Sequence, residues 1–200
     1  MLYLGEKNVI IINTVAIFLS GGKSVQRRII DIVYTAVFAS VIAVCSLITV
    51  PFAVPFTMQT FAVFFALLML GGKRGACAVA VYTFLGLVGL PIFSGFQGGF
   101  GVLFGATGGY IIGFLLISLI IWFFELFCGD RKYFAITAVI LGMLACYAVG
   151  TAWYALVYMG GTGVGFAAAV AQCVLPFILP DAAKIALAFV LCKKLKKYMK

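Results

Sequence analysis

Long apolar runs, separated by short polar or glycine-rich stretches, dominate the chain from its first third to its end. A membrane-spanning helix needs about 20 mostly apolar residues. The runs that we interpret as spans are 29–50, a second ending at Leu70, 75–90, a fourth ending near Phe127, 134–158 and 181–192. This pattern predicts an all-α integral membrane protein, folded as a bundle of six transmembrane helices without a soluble domain.

The segment before the first predicted span is interpreted separately. Residues 1–26 contain an apolar run, 9–19, which Asn13 interrupts and which is too short to cross a bilayer. We predict that residues 1–26 form an interfacial or loosely ordered extension and that residues 27–200 form the membrane domain. Since Glu6 and the 20–23 stretch supply neither a basic start nor a convincing cleavage site, no cleaved signal is expected.

The connection between the third and fourth predicted spans, residues 91–110, is uncharged and rich in glycine and phenylalanine. Glycine allows the backbone to approach a ligand or a neighbouring helix closely. Irregular backbone at membrane depth is tolerated only where protein or a cavity covers it. We therefore predict that this stretch, the cap segment, is a re-entrant loop on the outer side of the bundle.

Composition and charge narrow the class further. The chain is 66% hydrophobic and 10% charged, whereas a soluble domain is about half apolar and a quarter charged. The net charge of +9 does not indicate a nucleic-acid partner, because the basic residues cluster at the ends of apolar runs: Arg27/Arg28, Lys73/Arg74, Arg131/Lys132 and the C-terminal lysines. Six spans place these clusters on one side, so the positive-inside rule predicts that both termini are cytoplasmic. We expect a multi-pass protein of the bacterial plasma membrane.

Several kinds of chemistry find no support in the sequence. The six cysteines have no paired spacing and histidine is absent, so we expect no metal site and no resident cofactor. An intramembrane enzyme needs a nucleophile with a base, a metal or paired carboxylates, and we expect no enzymatic activity. The chain also lacks a Gly-x-x-x-x-Gly-Lys-Ser/Thr motif, so any use of ATP requires a partner subunit.

Asp181 and Lys184 are the charges that we place deepest in the membrane. Pro180 suits the first turn of a helix, so the last helix is predicted to begin there. Residues three apart share one helical face, and ionised groups in a bilayer cost about 2.5–3.5 kcal/mol on insertion scales. The pair therefore indicates a ligand site facing the protein interior. The alternative is an ion pair that satisfies itself and only locks two helices together.

Other polar residues of the predicted spans and the cap segment are candidates for the same site: Gln59, Thr83, Gln97 and Tyr154. Such a set suits a small, mostly apolar solute with a negative end, for which Lys184 is the expected counter-charge and Asp181 an acceptor for N–H donors. For each candidate alone, the alternative is an ordinary residue of a membrane span.

Ala39 and Ala43 place small side chains one turn apart on the first predicted span. Small residues at this spacing allow another helix to approach closely. The stripe is either a docking surface for a partner or part of ordinary packing within the chain.

A set of short motifs occurs in the order found in one known family: Gln59-Thr60 after a proline-rich turn, Gly86-x-x-Gly89-Leu90-Pro91, Gly98-Gly99, Gly108-Gly109-Tyr110 and Leu179-Pro180-Asp181-x-x-Lys184. Over about residues 28–194 the chain resembles the BioY family, the biotin-binding S components of energy-coupling factor (ECF) transporters. The resemblance implies a six-helix bundle that captures biotin from outside. It also implies a transmembrane T component, which docks on Ala39 and Ala43, and two cytoplasmic ATPase subunits that use ATP.

By motif position, the resemblance implies that Asp181 and Lys184 contact the polar groups of biotin, with Thr83 and Gln97 nearby. The chain departs from the family pattern at Gln97, where some relatives have arginine, and at Ala106, where some have proline. If that arginine pairs with the carboxylate of biotin, Gln97 offers only neutral hydrogen bonds. Two alternatives stay open: a solitary facilitator or proton-coupled permease, and an S component for another vitamin.

Overall fold

A computed structural model describes residues 3–51, 54–129, 132–158 and 166–198, with side chains from Val25 onward except those of Lys132, Tyr158 and Phe166. The chain divides into two units, Met1–Tyr34 and Thr35–Lys200. The helices are α1 Tyr3–Leu47, α2 Gln59–Leu70, α3 Gly72–Leu87, α4 Gly108–Cys128, α5 Lys132–Trp153, α6 Phe166–Cys173 and α7 Leu175–Leu195. A two-stranded antiparallel hairpin, β1 Thr49–Val50 and β2 Phe56–Thr57, connects α1 to α2.

The first unit is helical from Tyr3 onward, and α1 ends at Leu47. The proposed extension, residues 1–26, thus has helical backbone over most of its length, while its side chains up to Ser24 lie outside the described residues. The division into an extension and a membrane domain stays a prediction.

Four helical stretches in the described part of the chain are long and apolar enough to cross a bilayer: Val25–Leu47, Gly108–Cys128, Tyr133–Val157 and Ala167–Leu195. Helix α2 has 12 residues and α3 has 16, which gives lengths of about 18 and 24 Å at about 1.5 Å per residue. Both are shorter than a hydrocarbon core of about 30 Å. The two corresponding predicted spans are helices, but the hairpin before α2 and the Gly71 turn after it limit their length.

Close helix packing in the second unit depends on glycines that face large neighbours. A Cβ atom on Gly113 of α4 would lie 2.6 Å from the sulfur of Cys146 on α5. Gly150 of α5 is covered in the same way by the ring of Tyr110. Small residues at such positions let two helix backbones approach each other. Helices α4 and α5 therefore pack along their length, and α2 lies against α7, α3 and α4.

The turn between α2 and α3 is fixed by the end of α4. The backbone N–H of Gly72 donates a hydrogen bond to the carboxylate of Glu125. A carboxylate is favourable beside the positive end of a helix dipole, here the first residue of α3. Glu125 therefore holds the start of α3, and this carboxylate has a structural role.

The last helix begins earlier than we predicted. Helix α7 starts at Leu175, has Pro176 in its first turn and contains Pro180 in its interior, so the predicted helix start at Pro180 is wrong. Pro176 takes the position where a missing N–H costs no hydrogen bond. Pro180 then removes one bond, to the carbonyl four residues earlier. Helix α6 precedes α7 with Val174 between them, so together they form one interrupted helical stretch.

The cap segment is an ordered connection built from two short 3-10 turns, Ser94–Phe96 and Phe100–Phe104, and its last residues form the start of α4. The carbonyl of Ile92 accepts hydrogen bonds from the hydroxyls of Ser46 and Tyr82. Phe93 is 2% exposed and lies against Gly86, where any Cβ would collide with its ring. The phenylalanines further along, Phe96, Phe100 and Phe104, are exposed.

Candidate ligand-binding site

A cavity lies among the hairpin, α2, α4, α5, α7 and the cap segment, and its empty space, including the open space at its mouth, is about 640 Å³. Its polar lining comes from Thr57, Gln59, Thr60, Ser94, Thr107, Tyr110, Tyr147, Asp181 and Lys184. Its apolar lining includes the rings of Phe93, Phe114 and Phe177 and the side chains of Ile111 and Met143. A mainly apolar cavity with a few convergent polar groups is typical of a small-molecule site.

Asp181 and Lys184 form a buried ion pair at the wall of this cavity. The Lys184 Nζ atom lies 2.8 Å from Asp181 Oδ1, and the residues are 5% and 4% exposed. They lie three residues apart on α7, which brings both side chains onto one face. The two side chains share one face of α7, as their spacing predicts, and both are buried.

Lys184 is also bound by the hairpin before α2. Its Nζ atom donates to the Thr57 carbonyl at 2.7 Å and lies 3.8 Å from the centroid of the Phe56 ring. The ring and the carbonyl come from β2, whose residues pair with Thr49 and Val50 of β1. The hairpin thus supplies a backbone acceptor and an aromatic face to the ammonium group.

Tyr147 of α5 is the second donor to Asp181. Its hydroxyl donates to Asp181 Oδ2 at 2.7 Å, so each carboxylate oxygen accepts a bond from a different helical residue. Tyr147 was not among the predicted site residues. The available signal was its place on α5 one turn from Met143 and two turns from Tyr154, although the same spacing fits ordinary core packing.

Gln59 begins a hydrogen-bond chain that leads from the cavity to the cap segment. Its Nε2 donates to the Tyr82 hydroxyl at 3.0 Å, and that hydroxyl donates to the Ile92 carbonyl at 3.2 Å. Because a carbonyl can only accept, Tyr82 must donate to Ile92 and accept from Gln59. The amide of Gln59 is therefore oriented with its NH₂ group toward Tyr82.

The structure brings three of the predicted site residues to the cavity, namely Gln59, Asp181 and Lys184. The other three lie elsewhere. Thr83 is buried on α3 away from the lining, and its hydroxyl oxygen has no hydrogen-bond partner among the described residues. Gln97 is exposed in the cap segment. Tyr154 lies behind the cavity wall, in a buried cluster with Val54, Ala169, Cys173 and Phe177. The binding roles of these residues stay predictions.

Ala39 is 4% exposed and Ala43 is half-buried, so both pack within the described chain. This arrangement agrees with the alternative of intrachain packing that their spacing left open. The exposed small residues of the same stretch are Ala36 and Ser40. Docking of a partner on Ala39 and Ala43 stays a prediction.

Parts of the predicted topology signals lie outside the described residues, including Arg131 and Lys200. Within the described ranges, no group of three or more His, Cys, Asp or Glu side chains is arranged to hold a metal ion.

Together, the apolar helices and the cavity define a polytopic helical membrane protein with an internal cavity suited to a small molecule. A model of the BioY family matches residues 15–200. The chain belongs to the BioY family, which confirms the resemblance carried by the glycine motifs and the Asp181/Lys184 motif. Because this family consists of transporter subunits, the prediction that the chain is not an enzyme is also confirmed.

Two relatives align over most of their own length. A probable biotin transporter BioY of Pyrococcus horikoshii is 36% identical over 83% of this chain and 96% of the relative. The biotin transporter BioY of Thermotoga maritima is 35% identical over 84% of this chain and 96% of the relative. The crystal structure of an S-component for biotin from an ECF-type ABC transporter matches with a TM-score of 0.74 and 26% identity, over 86% of this chain and 93% of that one.

Proposed function

We propose that this protein is the membrane-embedded substrate-binding subunit of an ATP-driven ECF-type importer, and that it captures biotin from the extracellular side. Membership of the BioY family and the similarity to the biotin transporters of Pyrococcus horikoshii (a probable one) and Thermotoga maritima support this proposal. The likeness to a solved S-component for biotin extends over most of both chains.

The observation that carries the choice of ligand is the buried carboxylate of Asp181 in a largely apolar cavity. Biotin combines a ureido ring with N–H donors, a sulfur-containing ring and an aliphatic chain that ends in a carboxylate. An ionised carboxylate has about four lone-pair sites, and two protein donors bind Asp181 here. The remaining sites suit the N–H groups of the ureido ring, while Phe93, Phe114 and Phe177 suit its apolar parts.

The proposed importer needs partner subunits for its energy. The chain has no phosphate-binding loop of the Gly-x-x-x-x-Gly-Lys-Ser/Thr type. A transmembrane T component and two cytoplasmic ATPase subunits are therefore part of the proposal, and ATP is their cofactor. The subunit itself carries biotin as its ligand and no resident cofactor.

We further propose that the protein lies in the bacterial plasma membrane with both termini in the cytoplasm. The basic pairs Arg27/Arg28 and Lys73/Arg74 and the lysines after Cys192 favour this orientation under the positive-inside rule. The uncharged cap segment then faces outward, at the side from which the ligand enters.

The test of the ligand is binding of radiolabelled biotin to the purified protein in detergent. We expect saturable binding at sub-micromolar biotin, which unlabelled biotin displaces and other vitamins do not. Displacement by another vitamin at lower concentration would assign the chain to that solute instead.

The test of the transport class is biotin uptake by cells that express this chain with and without the T component and ATPases. We expect concentrative uptake only with the partners. Concentrative uptake by the chain alone would identify a proton-coupled permease, and equilibration by the chain alone a facilitator.

A further inference from the structure

The two helices that the cap segment joins, α3 and α4, are aligned with each other at their charged ends. The carboxylate of Glu125 on α4 accepts the backbone N–H of Gly72, the first residue of α3, and the exposed Lys73 and Arg74 follow in the sequence. Ionised groups avoid the hydrocarbon of a bilayer. The level of Glu125 therefore marks the boundary of the hydrocarbon on one side of the membrane.

Measured from this boundary, both helices end before they have crossed the hydrocarbon. Helix α3 has 16 residues, so at about 1.5 Å per residue it is about 24 Å long, and the part of α4 from Gly108 to Glu125 is about 25 Å long. The hydrocarbon core is about 30 Å thick. Any tilt of the helices shortens the depth that they cover. The cap segment therefore starts and finishes within the bilayer.

The cap segment is suited to a position with little water. No charged residue occurs in 75–124, which includes the whole segment. Its backbone is paired within the protein: the N–H of Phe93 donates to the Gln97 carbonyl at 2.9 Å, and the N–H of Gly99 donates to the Gly86 carbonyl at 2.8 Å. Irregular backbone at membrane depth requires such internal partners.

Three phenylalanines of the cap segment, which we call the cap phenylalanines, are between 62% and 68% exposed: Phe96, Phe100 and Phe104. The rings of the last two lie 6.1 Å apart. Because Gly99 is bonded to the last turn of α3, the neighbouring Phe100 lies near the end of that helix. The outer surface of α3 at this end is also apolar, since Phe84 and Val88 are exposed. The cap phenylalanines therefore extend the apolar surface that α3 presents to the membrane.

We propose that the cap phenylalanines bind the acyl chains of the leaflet opposite to Glu125, at the boundary between hydrocarbon and headgroups, and hold the cap segment in the membrane. Aromatic side chains are favourable at this boundary. Lipid is the occupant, and not a second protein chain, because the lengths of α3 and α4 place the cap segment within the bilayer with or without a partner. The inference does not depend on which ligand the cavity binds.

The experiment measures quenching of tryptophan fluorescence by lipids that carry bromine at different depths of the acyl chains. Phe100→Trp is introduced into the full-length chain with Trp122→Phe and Trp153→Phe, which remove both of its tryptophans. The protein is reconstituted in phosphatidylcholine vesicles with brominated phosphatidylcholine. Leu119→Trp, at a position 52% exposed within α4, is the control for deep lipid contact, and Tyr198→Trp, at a position 81% exposed after α7, is the control for water.

We expect bromine near the headgroups to remove most of the Phe100→Trp emission and bromine near the chain ends to remove less, whereas Leu119→Trp should show the reverse order. Aqueous iodide should quench Tyr198→Trp and not Phe100→Trp. Quenching of Phe100→Trp by iodide alone would place the cap phenylalanines in water and overturn the proposal. A depth profile equal to that of Leu119→Trp would overturn the position at the boundary. Protection from both quenchers would show that a protein chain covers this surface, which would also overturn the proposal.

A second measurement leaves both tryptophans in place, in case their replacement prevents folding. The photoreactive residue p-benzoylphenylalanine replaces Phe100, and on irradiation its ketone inserts into a nearby C–H bond. We expect mass spectrometry to detect adducts with phosphatidylcholine at this position and none when the same residue replaces Tyr198. Cross-links from position 100 to a second copy of the chain, or no lipid adduct there while position 119 gives one, would contradict the proposal.

Discussion

Lys184 and Phe56 are in direct contact, with the ammonium nitrogen 3.8 Å from the centre of the ring. The ring stacks in turn on Phe177, with centroids 6.2 Å apart. A charge that is removed from water gains from an aromatic face, by about 2 kcal/mol in desolvated sites. The hairpin is thereby fixed to α7 at the residue that holds Asp181.

Replacing the ring of Phe56 should loosen this connection. We expect Phe56→Leu to lower the thermal stability of the ligand-free protein by about 1–2 kcal/mol, because the aliphatic side chain cannot attract the ammonium. Thermal unfolding in detergent measures the change. Phe96→Leu is the control, since Phe96 is 68% exposed. Equal effects of the two substitutions would show that the contact with Lys184 contributes nothing.

Removing both members of the buried ion pair should cost less than the sum of the two single removals. Asp181→Asn or Lys184→Met leaves one buried group without its charged partner, and we expect each to destabilise the protein by about 3–5 kcal/mol. The double variant should be less destabilised than the sum of the two.

A double-mutant cycle from thermal unfolding measures this coupling. Lys193→Met is the matched control, because Lys193 is an exposed lysine in the last turn of the same helix. Strictly additive effects of the two substitutions would rule out an energetic pair.

Substitutions of Gln59 and Gln97 should have different effects on biotin binding. Gln59 lines the cavity and is 5% exposed, whereas Gln97 is exposed in the cap segment. We expect Gln59→Leu to weaken biotin binding by about 1–3 kcal/mol, since the variant leaves Tyr82 or the ligand without a partner. Gln97→Leu should leave the dissociation constant unchanged. A larger effect at Gln97 would mean that the cap segment rearranges around the ligand and brings this side chain to it.

Gly86 should tolerate no side chain. A Cβ at this position would overlap the ring of Phe93, which forms part of the cavity wall. We expect Gly86→Ala to destabilise the protein by about 1–3 kcal/mol through overpacking and to weaken biotin binding. Gly101→Ala is the control, because no atom lies within 4 Å of the Cβ position there. If both variants bind and unfold like the wild type, Phe93 can move aside without cost.

The sequence was sufficient to predict the class of fold and the pairing of Asp181 with Lys184. Asp181 and Lys184 stand out because charges are rare in apolar runs, and their spacing alone brings them to one face of a helix. The predicted start of α7 was wrong because Pro176 and Pro180 each suit the first turn of a helix, and the sequence does not tell which of them occupies it.

Other contacts of the site could not be predicted from the sequence. The Thr57 carbonyl binds Lys184 through the backbone, which any residue in β2 would supply. Tyr147 resembles the other tyrosines of apolar helices, and only the packing of α5 on its neighbours distinguishes it. Gln97 forms a backbone bridge with Phe93 and has an exposed side chain, and its binding role stays a prediction.

Pro180 immediately precedes Asp181, and its ring nitrogen has no proton to give to the carbonyl of Pro176. Bending α7 at Pro180 breaks no backbone hydrogen bond, whereas bending the helix elsewhere strains a backbone hydrogen bond. Asp181 therefore lies next to the position at which α7 bends most easily. A bend of α7 at Pro180 changes the orientation of the Asp181 carboxylate before it disturbs the packing of the other helices.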